Sequence, residues 1–202
     1  MTAESAHNNS LPGASFFPDD VALSARAVAL ARAVVEFEEY ASQLGWDAPV
    51  RVCALVRTAA MLEDDPSLTR LLDAEAVAQA QQNPEHLTAI EQEKLPQAAD
   101  LEDLLGQLAW PESVDGVALS VERSVLPPQA EAEAAQINDL TERLAYLSSR
   151  EDREDVRMVV GVLRSGESWC ALRARSRDDN TKVAQGSTLV PGLVEALAST
   201  LA

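Results

Sequence analysis

The feature that most constrains the fold is the stretch VRMVVGVLRSGESWCALRARS at residues 156–176, two apolar β-branched runs split by Ser165-Gly166. That pattern predicts a β-hairpin. On its second strand Trp169, Ala171, Arg173 and Arg175 share one face, and Cys170, Leu172 and Ala174 share the other. The segment also reverses the charge of the chain. Over residues 156–177 five arginines (Arg157, Arg164, Arg173, Arg175 and Arg177) stand against Glu167 alone, in a 202-residue chain of net charge −17. Two other strand-like stretches, 50–58 with Arg51 and Arg57 and 116–128 with Glu122 and Arg123, bring the total to 8 basic and 2 acidic residues, a local +6. The remainder therefore carries −23, and the pattern is that of an arginine-studded sheet inside an acidic helical coat.

The other elements follow from periodicity and caps. Residues 1–18, small and polar, are expected to fray as a flexible N-terminal tail. Residues 19–202 then form a single domain. Asp19 and Asp20 offer an N-cap for a helix reaching Gly45. Its apolar residues Leu23, Ala27, Leu30, Val34, Phe37, Ala41 and Leu44 recur at alternating spacings of four and three. The small alanines favour packing on a sheet, and a coiled-coil dimer seam is the alternative, so a homodimer is an open expectation. VRVCALVRT predicts a strand with Arg51, Cys53, Leu55 and Arg57 on one face, and Asp65-Pro66 opens a helix through about Ala80. Residues 86–92 read as a strand, 100–108 as a short helix, DGVALSVERSV as a clearer strand, and 131–148 as one helix with Ile137, Leu140, Leu144 and Leu147 on its apolar side. A last helix, with Pro191 in its first turn, presents Val190, Leu193, Val194, Leu197 and Leu201.

Composition excludes several functions. A chain of this length can bury roughly 70% of its unfolded surface without metals or disulfides, and the 47% hydrophobic content places it among globular proteins. With a pI near 4.4 it lacks the cationic surface that nucleic acid or an anionic membrane requires. No apolar run of about 20 residues and no basic-then-apolar leader is seen. We expect a cytoplasmic protein with neither nucleic acid nor membrane as a partner. Cys53 and Cys170 sit inside apolar runs and read as reduced, buried thiols.

Chemical motifs are sparse. The chain has no phosphate-binding glycine loop, no HExxH and no CxxC pair. His7 lies in the tail, which leaves His86 as the candidate base, and a lone His at a strand start more often has a structural role. Glu63-Asp64-Asp65 and the Glu151–Asp155 run could ligate a hard cation, but the first precedes a helix that it would cap and the second alternates with Arg150 and Arg153. We therefore assign no catalytic residue, no metal and no cofactor. The arginines either pair with the chain's own surplus acids or form a recognition surface. Trp169, Arg173 and Arg175, with Arg164, Arg123 and Arg57, are nominated as partner-binding residues, because an exposed aromatic beside arginines has the composition of a binding hot spot. On that reading, replacing Arg173 and Arg175 weakens binding and leaves folding nearly intact. The competing expectation is an anion-binding domain or enzyme that clamps a phosphorylated or carboxylated small molecule with Arg57, Arg123, Arg164 and Arg173.

GVLRSGESWCALRARS followed by LVPGLVEAL, with WPESVDGVALSVERSVLPP upstream, resembles an actinobacterial family of small acidic cytoplasmic proteins without an assigned function. Two lysines against fourteen arginines fit such a high-GC lineage. The order of elements also resembles the secretion-chaperone-like fold, whose members are small, acidic, usually dimeric and bind partner polypeptides without catalysis. The expected architecture is α+β: an antiparallel sheet of about five strands, helices packed mainly on one face, and the first and last helices supplying much of the core. The expected function is non-catalytic protein interaction or regulation.

Overall fold

The computed structural model describes residues 23–126, 128–150 and 152–202. The tail assigned to residues 1–18 and the caps expected at Asp19 and Asp20 lie outside these residues. In chain order the elements are α1 (Ala25–Gln43), β1 (Arg51–Arg57), α2 (Thr58–Asp64), a 3-10 turn (Pro66–Arg70), α3 (Ala74–Gln82), β2 (Leu87–Glu91) and α4 (Leu101–Gly106). They continue with β3 (Gly116–Val125), α5 (Pro128–Ala135), α6 (Leu140–Ser148), β4 (Glu154–Leu163), β5 (Ser168–Ala174), β6 (Ala184–Gly186) and α7 (Pro191–Ser199). The strands form one antiparallel sheet in the order β2-β1-β3-β4-β5-β6. The α+β class is as expected, with six strands rather than about five. The addition is β6, a three-residue edge strand paired to β5 and too short to leave a periodic signal.

The β4–β5 hairpin forms around Ser165-Gly166, and Gly166 adopts φ +101°, a conformation with little steric cost for a residue lacking Cβ. The central strands are apolar at successive positions, so both faces of the sheet must be covered. Helix α1 covers one face, packing Leu30, Val34 and Phe37 onto Cys53, Leu55, Ala118, Val159, Trp169 and Ala171. The crossing depends on Gly161, because a Cβ there would lie 2.5 Å from Val34 Cγ2 and 2.9 Å from Leu30 Cδ1. On the opposite face α7 and α4 bring Leu197, Leu201, Leu193 and Leu105 onto Val52, Val117, Leu119, Val160 and Cys170. First and last helices thus supply the two halves of the core, one on each side of the sheet.

Two helical expectations are corrected, both through aspartate caps. The helix expected from Asp65 to Ala80 is a 3-10 turn and a separate α3, because Asp65 accepts from Ser67 N at 2.9 Å and Asp73 accepts from Glu75 N at 2.8 Å, starting a new helix. The helix expected over 131–148 is split into α5 and α6, with Asp139 capping the second through Glu142 N at 2.8 Å. Its supposed apolar side is not a buried one, since Leu140 and Leu144 are exposed. At the end of α1, Gly45 (φ +85°) takes the role expected of it after the last turn.

Candidate functional site

Register places the charged residues before any tertiary contact is considered. Glu122, Arg157 and Arg173 are direct neighbours across β3, β4 and β5. They form a charged row on the α1 face, one step beyond the buried row of Ser120, Val159 and Ala171. Helix α1 lies over this row, so the guanidinium groups are sealed under it. Arg173 is 2% exposed and donates from Nε to Glu38 Oε1 at 2.6 Å and from Nη2 to Glu38 Oε2 at 2.7 Å, a bidentate pair with a carboxylate that is itself 2% exposed. Its remaining donors reach Asp178 Oδ1 at 3.2 Å and Asn180 Oδ1 at 2.8 Å. Arg157 donates to Glu122 Oε1 at 2.8 Å and to the Gly45 carbonyl, and stacks 4.5 Å from the Trp46 ring centroid. Arg175 approaches the same ring at 5.5 Å and is held bidentately by Asp47 at 2.9 and 3.0 Å. The Trp46 indole N–H donates to Asp178 at 2.8 Å, which with Arg173 holds that carboxyl below the usual aspartate range. Asp47 is likewise lowered by Arg175.

The hot-spot expectation therefore needs correction in its central members. Trp169 is 6% exposed, packed in the α1 core, and Arg173 is an internal ion-pair member. Arg175 is partly exposed but committed to Asp47. Arg57 pairs with Asp115 at 2.9 Å. Arg164 donates to the carbonyls of Val114, Trp110, Pro111 and Leu201, tying the hairpin to the chain on either side. Replacing Arg173 is thus a stability perturbation, against the expectation that folding would be nearly unaffected. The four arginines named as an anion clamp do not converge either. Arg57 and Arg164 share a recess of about 80 Å³ with Glu112 and Asp115, Arg173 is sealed under α1, and Arg123 lies on the opposite face of the sheet.

Arg123 is different. It is exposed on β3, and its side chain has no hydrogen bond or ion pair among the described residues. It lines an open groove of about 970 Å³ on the α4–α7 face, whose walls are Leu101, Leu105, Met158, Leu189 and Leu193, with Glu102 as its other charged residue. Leu189 is an exposed large hydrophobe within it. A second recess, of about 530 Å³, lies on the α1 face between α1, α3 and the β1–β2 edge. Its origin is geometric: a helix about 10 Å across spans roughly two strands spaced about 4.8 Å apart, and α1 sits mainly over β4 and β5.

Among the described residues no helix is long and apolar enough to cross a membrane, and no group of three or more His, Cys, Asp or Glu is placed to hold a metal ion. The acidic runs have local partners. Asp65 caps a turn, Asp152 pairs with Arg150, and Glu154 accepts from Ser176; Glu151 lies outside the described residues. Cys53 and Cys170 are free, buried and on opposite faces of the sheet. Burial pushes the Cys53 thiol up to about 12 and raises Cys170 as well. His86 is 8% exposed, with Nδ1 2.8 Å from Thr58 Oγ1, and burial lowers its pKa below the usual value.

These features define an α+β protein whose single antiparallel sheet is sandwiched between helices from the two ends of the chain, with open recesses on both faces. The family model of PPA1309-like protein matches residues 30–202, and the chain belongs to that family. No curated protein and no solved structure matches it. The family description names no reaction and no ligand, so function has to be argued from geometry. Sequence reasoning missed these recesses and the role of Trp46. The recesses arise from elements distant in the chain, and Trp46 lies in the turn after α1, between Gly45 and Asp47, both at positive φ, where no periodic pattern marks its contact with Arg157.

Proposed function

We propose that this protein is a non-catalytic interaction protein that holds an amphipathic helical segment of a partner protein in the α4–α7 groove. The observation that carries the reading is Arg123, an uncommitted guanidinium beside an open apolar groove, in a chain whose other nominated arginines are tied to acids or carbonyls. An apolar helix face fills such a groove, and an acidic side chain on that helix would answer Arg123. Secretion chaperones hold partner polypeptides without catalysis, and the chaperone-like role, the cytoplasmic location and the actinobacterial lineage are parts of this same reading.

The test is capture of partners from the source cell by wild-type protein, Leu189→Asp, Arg123→Glu and Arg175→Glu, with light scattering on each. A partner held by wild type and Arg175→Glu but released by the two groove variants supports the reading. Equal retention by all four overturns it. A dimer that the groove variants convert to monomer would instead make a second copy of the chain the occupant.

A further inference from the structure

We propose that the recess between α1, α3 and the β1–β2 edge is a binding site for a small organic cation, an amine carried on an apolar body. The floor is apolar and well packed: Ala33 and Phe37 from α1, Cys53 from β1 and Leu87 from β2 are all buried. The charged lining residues are Glu36, Asp73, Glu75 and Glu91, with no lysine or arginine among them. Two of these carboxylates have outside partners, Glu36 with Arg32 at 3.4 Å and Glu91 with Arg51. Asp73 and Glu75 have no ion pair among the described residues, so the recess keeps an excess of negative charge. A volume of about 530 Å³ falls within the range of small-ligand sites, roughly 300–1,000 Å³.

Two further polar groups of the lining each keep an atom without a hydrogen-bond partner among the described residues. The Gln79 amide donates from Nε2 to Glu75 Oε1 at 3.0 Å, which fixes its orientation and leaves Oε1 buried without a donor. A buried acceptor left unsatisfied is costly, and a ligand N–H is what it lacks. His86 lines the same recess, with Nδ1 against Thr58 and Nε2 without a hydrogen-bond partner among the described residues. Burial keeps this imidazole neutral at physiological pH, so it adds no positive charge to the site. The Thr58 hydroxyl also meets Thr88 Oγ1 at 2.7 Å. If Nδ1 donates to Thr58 and Thr58 to Thr88, Nε2 becomes an acceptor. The uncompensated carboxylates of Asp73 and Glu75, the amide oxygen and the imidazole nitrogen can then all accept from a donor, above a floor that accepts hydrocarbon. An anion of the same shape is rejected by the same groups.

The probe pair is phenethylamine and phenylacetate, close in size and opposite in charge, titrated into the full chain with His86 ring and backbone NMR shifts and the melting temperature as readouts. Phenethylamine is expected to shift His86 and residues of α3 saturably and to raise the melting temperature, while phenylacetate does neither. Glu36→Gln combined with Glu75→Gln removes charge from the rim without altering the floor, and is expected to weaken the amine at least tenfold. Ala76→Phe fills the recess and is expected to abolish binding, whereas Leu189→Asp in the other groove leaves it unchanged. The proposal fails if phenethylamine at 10 mM perturbs neither readout, if phenylacetate binds equally, or if Ala76→Phe retains full affinity while remaining folded by circular dichroism.

Discussion

Replacing Glu38 by glutamine keeps the side chain's volume and removes the charge opposite Arg173. In the native protein both partners are 2% exposed, so the guanidinium cannot recover water when its carboxylate is lost. Removing one member of a buried pair costs about 3–5 kcal/mol. Arg173 retains Asp178 at 3.2 Å and Asn180 at 2.8 Å, and one glutamine oxygen still accepts, which places the cost near the low end, about 3 kcal/mol. For a protein of this size that is a fall in melting temperature of about 6–12 °C. With a urea slope of about 2–3 kcal/mol/M it is also a loss of about 1–1.5 M in the midpoint. The paired replacement Glu38→Leu with Arg173→Met removes both charges, and the half-exposed Asp178 keeps the Trp46 N–H and can be solvated. That double variant should lie within about 1 kcal/mol of wild type or above it, so urea titration of the four-member cycle should give a coupling of at least about 2 kcal/mol. A cost below about 1 kcal/mol for Glu38→Gln, or strictly additive losses, would refute the view that the pair is sealed from solvent.

Two more outcomes follow from the same packing and burial. Gly161→Ala would place a methyl 2.5 Å from Val34 Cγ2, so α1 must lift; we expect about 1–3 kcal/mol of destabilisation by urea titration, and an unchanged midpoint would show that α1 does not press on β4 there. Burial holds the His86 pKa below its usual 6.5, so the unfolded chain binds a proton at higher pH than the folded one. The stability this provides is complete above about pH 6.5 and is lost as the pH falls through the folded value, so wild type should lose more of its urea midpoint between pH 7.5 and 5 than His86→Asn. Parallel pH profiles for the two proteins would exclude that titration.

What was legible in the sequence is what local chemistry decides. The β4–β5 hairpin follows from Ser165-Gly166 between two apolar runs, and its alternation correctly assigns Trp169, Ala171 and Arg173 to one face and Cys170 to the other. The cap at Asp65, the short helix after Asp100 and the helix opened by Pro191 are equally local. The expectation of helices mainly on one face failed: α1 covers one side and α7 with α4 the other, as run-on apolar strands such as VRMVVGVL require, because a strand with one solvated face alternates. The single helix expected over 131–148 failed because average helical periodicity outweighed one capping aspartate, Asp139, whose side chain competes with the helix for backbone N–H groups.

Whether an arginine is a recognition residue or a core ion pair is decided only by the tertiary structure. Both outcomes share the same alternating strand pattern. Arg173 meets Glu38 across 135 positions of chain and Arg175 meets Asp47 across 128, and no periodicity within either segment carries that pairing. Arg123 lies on a strand of the same sheet but points to the face where α4 and α7 leave a gap, so it keeps its donors free. Strand register sets which face each arginine takes; the footprint of the helix above that face sets whether it meets a carboxylate or solvent. Sequence fixes the first through period-two alternation, while the second depends on where a helix about two strands wide comes to rest on a six-stranded sheet.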